Sequence, residues 1–80
     1  MELLKYVVRH QNKSGPGYDW FPILAADEAN AMSGVERRGL VVERAVLLAE
    51  VEIDGITDSY ERDSLLGLKE APSESWRRPA

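Results

Sequence analysis

The residues best suited to chemistry in this chain are carboxylates. Glu50, Glu52 and Asp54 recur at alternate positions, Gly55 follows, and Asp58, Glu61 and Asp63 come soon after. Oxygen donors spread over a short loop suit a hard cation such as calcium, which takes 6–8 of them. Without a cation, the same residues form a negative surface that draws in a basic partner. A second group is aromatic: Tyr18, Trp20 and Phe21 sit beside the turn-rich residues 12–17. Aromatic side chains on an edge strand are good anchors for a protein partner. The candidate partner-binding residues are therefore Glu50, Glu52, Asp54, Asp58, Glu61 and Asp63, with Tyr18, Trp20 and Phe21.

The acidic spacing resembles the twelve-residue calcium loop of EF-hands at its first, third and fifth positions, its glycine, its ninth position and its closing glutamate. That resemblance covers residues 50–61 alone and implies calcium ligation there. The chain departs from the motif in several places. Glu50 and Glu52 replace shorter aspartates, Val51 and Ile53 are strand formers, and Thr57 occupies a position that is normally apolar. Residues 45–53 also read as a strand where the motif needs a helix. A weak calcium loop ranks third among the functional readings, and no metal or other cofactor is expected.

No catalytic residue is expected. His10 is the only histidine, stands beside Arg9 on a strand and has no cysteine to activate, because the chain contains none. Ser14 lacks the flanking order of a nucleophile elbow, and residues 14–17 lack the lysine of a phosphate-binding loop. Carboxylate pairs along an acidic helix are ordinarily a solvated face. The chain reads as a non-enzyme.

Charge is more informative by placement than by amount. The net charge is −4, and residues 1–49 hold equal numbers of acids and bases. Residues 50–70 hold Glu50, Glu52, Asp54, Asp58, Glu61, Asp63 and Glu70 against Arg62 and Lys69. Arg37, Arg38 and Arg44 form a modest basic spot, but the acidic segment would repel phosphates, so direct nucleic-acid binding is not expected. The first residues lack the basic and apolar regions of a signal peptide. No run approaches the roughly 20 apolar residues of a membrane span. A cytoplasmic protein with no membrane association is expected.

These groups need a scaffold, and 80 residues with 44% hydrophobic content allow one small core. Residues 3–11 alternate Leu4, Tyr6, Val8, His10 with Leu3, Lys5, Val7, Arg9 and predict a first strand. Residues 18–24 predict its hairpin partner, placed at an edge or bent by Pro22, which has no N–H to give. Residues 27–38 turn to helical period, with acids at the start, Arg37 and Arg38 at the end and Gly39 as a stop. Gly34 weakens that helix by about 1 kcal/mol relative to alanine; alternatively a second helix starts at the Ser33-x-x-Glu36 capping box. Residues 39–55 are the most apolar run and predict the central strand, with Ala45, Leu47, Ala49, Val51 and Ile53 on one face and a turn at Asp54-Gly55. Residues 56–68 favour a helix capped at Thr57 or Asp58 with Tyr60, Leu65 and Leu68 facing inward, over a hairpin arm. Residues 71–80 predict a polar, flexible tail with Trp76 as its one anchor.

The expected architecture is a small single α+β domain over residues 1–70, an antiparallel sheet of about three strands with one or two helices in the order β-β-α-β-α. The leading functional expectation is a non-enzymatic protein-binding module, a small regulator or inhibitor of the antitoxin or phage-encoded kind. It would offer residues 50–70 to a protein partner with a basic surface. The alternative is a structural or assembly subunit that forms a homodimer by pairing the edge strand at residues 18–24 with its own copy.

Overall fold

The computed structural model describes residues 2–72 and Trp76. Strand β1, Leu4–Gln11, turns through residues 12–17 into β2, Tyr18–Ala25. Helix α1, Glu28–Glu36, leads to β3, Val42–Leu47. Two single 3₁₀ turns, Leu48–Glu50 and Ile53–Gly55, then carry the chain to helix α2, Ser59–Glu70. The result is a small α+β domain with the expected element order, and residues 56–68 contribute to a helix, not to a hairpin arm.

The apolar run at residues 39–55 is not the central strand. The sheet order is β2-β1-β3, antiparallel throughout, so β1 lies in the middle and β3 at an edge. The reason is burial on both faces. Tyr6 and Val8 enter one core and Val7 the other, whereas β3 exposes Glu43 and Arg44. The third strand also stops at Leu47, short of the expected Ile53. Continued alternation would have turned Val51 and Ile53 toward the layer that holds Ala45 and Leu47. The 3₁₀ turns instead send Leu48, Val51, Ile53 and Ile56 all to the opposite layer, a gain in burial that outweighs strand propensity.

The sheet is therefore the middle of three layers. On one side Tyr6, Val8, Ile23, Ala25 and Ala45 pack against Ala31 and Val35 of α1. On the other, Val7 and Trp20 pack against Leu65 of α2, Ile53 and Trp76. Of the tail expected to be flexible, Trp76 is buried in this second cluster, with Lys5 Nζ 5.5 Å from its ring centroid. Residues 73–75 and 77–80 lie outside the described residues.

Both helices start as their sequences direct. Asp27 Oδ1 accepts from Asn30 N–H at 2.8 Å, and Asp58 Oδ1 accepts from Glu61 N–H at 3.0 Å, each satisfying a donor that the helix itself leaves free. Helix α1 runs unbroken through Gly34, so no second helix starts at Ser33, but it ends at Glu36, two residues before the predicted limit. Gly39, at φ +82°, then reverses the chain toward β3, a conformation glycine adopts without steric cost. In α2 the inward positions are Glu61, Leu65 and Leu68, while Tyr60 points outward at 57% exposure. Tyr60 was expected inside; Glu61, whose carboxylate meets Arg9 and Trp20, takes the inward position instead.

Gly34 has a packing reason. A Cβ there would lie 2.7 Å from Ile23 Cδ1, and Ile23 is fully buried. Overpacking costs roughly 1–3 kcal/mol, so Gly34→Ala is expected to lower stability in denaturant unfolding despite its helix-propensity gain of about 1 kcal/mol. A more stable variant would show that Ile23 moves aside freely. Leu47, expected in the core, is only partly buried beside the first cluster. Ile23→Ala and Leu65→Ala should each cost on the order of 2–5 kcal/mol, and Leu47→Ala clearly less in the same assay.

Candidate functional site

Arg9 organises the polar side of the sheet. It pairs across to Trp20 on β2 and to Arg44 on β3, so all three side chains leave the same face. The register slips between Arg9 and His10, where Val42 follows Arg44 as the opposed residue and Glu43 is left over. This bulge re-aims Glu43, and its Oε2 lies 2.5 Å from Arg9 Nη1. The remaining Arg9 donors meet α2: Nε gives to Glu61 Oε1 at 2.9 Å and Nη2 to Glu61 Oε2 at 3.3 Å. Trp20 Nε1–H also donates to Glu61 Oε1, at 3.0 Å. Glu61 thus sits 8% exposed with three donors, while the Arg9 guanidinium also stacks 3.7 Å from the Tyr18 ring centroid.

The electrostatics follow from this geometry. The hydrogen bond to Glu61 holds the Arg9 pKa above its ordinary value; partial desolvation acts the other way, and the charges of Glu61 and Glu43 add to the rise. Arg9 is a fixed cation. A fork-on-carboxylate contact of this kind also sets direction, because both planes must align. It fixes the angle at which α2 crosses the sheet.

The expected site residues separate into two sets. Glu61 and Trp20 are committed to this internal network, and Tyr18 lies under Arg9. Phe21 faces the opposite side of the sheet, beside the first core cluster, with Arg38 5.3 Å above its ring. The three aromatic residues therefore form no common anchor; strand alternation splits them. Glu50, Glu52, Asp54, Asp58 and Asp63 are all exposed. Asp63 lies 4.0 Å from Arg62, and Asp58 caps α2. Glu50, Glu52 and Asp54 have no ion pair among the described residues. They project from the chain that links β3 to α2, next to a depression of about 240 Å³ that Glu50 and Glu52 share with Arg44 and Trp20.

A calcium loop finds no support in this arrangement. Its closing bidentate ligand would be Glu61, whose two oxygens are taken by Arg9 and Trp20. Among the described residues no three acidic, histidine or cysteine side chains gather as a metal-binding group. His10 is 8% exposed, has Nδ1 2.9 Å from the Gln11 carbonyl, and meets the Phe21 ring edge-on at 6.5 Å. A carbonyl only accepts, so Nδ1 carries the proton in that contact, and the imidazole acts as a packing residue.

The network around Arg9 was hidden because its members lie 34, 41 and 52 positions apart. The one local signal was weak: Arg9 shares a strand face with the buried Val7, but the other residues of that face, Lys5 and Gln11, are exposed. No family model, curated protein or solved structure matches the chain. Among the described residues no helix is long and apolar enough to cross a membrane.

Removing one partner of a buried ion pair leaves an uncompensated charge, at a cost of roughly 3–5 kcal/mol, whereas replacing both by apolar residues is often close to neutral. Arg9→Met, which leaves the buried Glu61 carboxylate with only the Trp20 N–H, should therefore lose on the order of 3 kcal/mol. Arg9→Met with Glu61→Leu should recover much of it in urea unfolding. Additive losses would mean that the two side chains act independently.

Proposed function

We propose that this domain is a non-enzymatic protein-binding module that presents the acidic loop between β3 and α2 to a basic surface of a protein partner. The observation that carries the proposal is the state of Glu50, Glu52 and Asp54. All three are exposed, and none is neutralised by an ion pair among the described residues. By contrast, the buried acid of the same segment, Glu61, is fully matched. Exposed carboxylates without an ion pair, on a loop anchored at both ends, present a negative surface that accelerates encounter with an opposite one. Asp58 and Asp63 extend the negative surface along the start of α2. Anchoring comes from Ile53, buried at 8% exposure, and from the 3₁₀ turns on either side of Val51 and Glu52. The loop is thus held in shape before binding, which limits the ordering cost of association.

A small regulator or inhibitor working in the cytoplasm, of the antitoxin or phage-encoded kind, fits a domain that presents one acidic face. Self-association is the second reading. The position of β2 at the sheet edge favours it, since an outer strand offers unpaired backbone groups to a second copy.

The two readings separate by experiment. Affinity capture followed by mass spectrometry is compared for the native domain and for Glu50→Lys/Glu52→Lys/Asp54→Lys, with circular dichroism confirming that both are folded. A basic partner retained by the native chain at low salt and lost with the triple variant is the expected result. A partner held equally by both would move the binding face away from the loop. A concentration-dependent dimer in light scattering, unaffected by the triple variant, would favour self-association.

A further inference from the structure

Beyond the acidic loop, at the end of the sheet where β1 begins, lies a groove of about 570 Å³. We propose that it binds a single-chain amphiphile with an anionic head, such as a medium-chain carboxylate. The walls are Leu3, Leu4, Leu47, Leu48, Ala49, Val51 and Ile53. Leu3 and Leu4 are each 37% exposed, so large apolar side chains here remain open to water instead of completing either core. The volume falls within the roughly 300–1,000 Å³ typical of small-molecule sites, which combine apolar walls with a few convergent polar groups.

The polar groups of this groove set the sign of the ligand. Its charged lining residues are Lys5 and Lys69, both exposed, and neither forms an ion pair among the described residues. Lys5 contacts the face of the Trp76 ring, which steadies its side chain without neutralising its charge. Lys69 comes from the last turn of α2, so the two cations reach the groove from different layers. A hydrocarbon chain covers the leucines, and a carboxylate meets the two ammonium groups. Lys69 also borders the neighbouring depression of about 410 Å³, whose lining includes Glu52 and Asp54. Those acids repel an anionic head and confine it to the lysine end. The groove uses the apolar side of the same loop, through Leu48, Ala49, Val51 and Ile53, whereas the proposed partner surface uses its carboxylates, so either proposal can fail without the other.

The test titrates the full chain with dodecanoate below its micelle concentration and follows backbone amide and methyl NMR signals. Saturable shifts at Leu3, Leu4, Leu48, Ala49 and Val51 are expected. Lys5→Gln/Lys69→Gln should weaken binding about tenfold or more. Ala49→Phe, a substitution at an exposed wall position, should block the groove; unchanged signals elsewhere verify the fold of both variants. Dodecyltrimethylammonium, with the same chain and a cationic head, should bind at least tenfold more weakly. Absence of saturable shifts, shifts away from the groove, equal binding of the cationic amphiphile, or undiminished affinity in the lysine variant would each overturn the proposal.

Discussion

The contact between Arg9 and Glu61 is the interaction on which the rest of the arrangement depends. One guanidinium from the middle strand meets a carboxylate from α2, and the same carboxylate takes the Trp20 indole N–H. Apolar packing of Leu65 and Leu68 on the sheet would hold α2 in place, but hydrophobic contact is non-directional. The ionic contact supplies direction. It sets which face of α2 turns inward, leaves Tyr60 outside, and fixes the point at which the acidic loop must meet its helix. Desolvation offsets much of the attraction within such a pair, so its main effect here is on orientation and less on net stability.

A domain this small gains by using both faces of its sheet. Neighbouring valines of one strand, Val7 and Val8, are both fully buried, yet they belong to different clusters. Each layer contributes few large side chains, so the second relies on segments outside regular secondary structure: Val51, Ile53 and Ile56 from the loop, and Trp76 from beyond α2. The loop that presents the acids is also part of the core. Its apolar residues turn inward and its carboxylates outward.

Local chemistry made much of the fold legible. The alternation in residues 3–11, the proline and turn residues around residues 12–24, the acids at the start of residues 27–38 and the capping residues at Thr57 or Asp58 each act within a few positions, and each element formed close to where they indicated. The apolar run at residues 39–55 misled because hydrophobicity reports burial and not topology. Its first half became an edge strand, and its second half left the sheet to bring three more side chains to α2. The candidate site was half legible for the same reason. Exposure of Glu50, Glu52 and Asp54 follows from local pattern, whereas the capture of Glu61 requires Arg9 from the other end of the chain. The bulge that turns Glu43 to the same arginine depends on strand register, which no short window of sequence contains.

The central claim is that the Arg9–Glu61 contact, more than packing alone, sets α2 and the acidic loop on the sheet. Amide hydrogen exchange in Glu61→Gln tests it most directly, because glutamine keeps the size of the side chain and an acceptor for Trp20 but removes the charge. Protection should fall selectively in α2 and in residues 48–58, while β1, β2 and α1 retain theirs. Unchanged protection in α2, or an equal loss across the whole domain, would contradict the account.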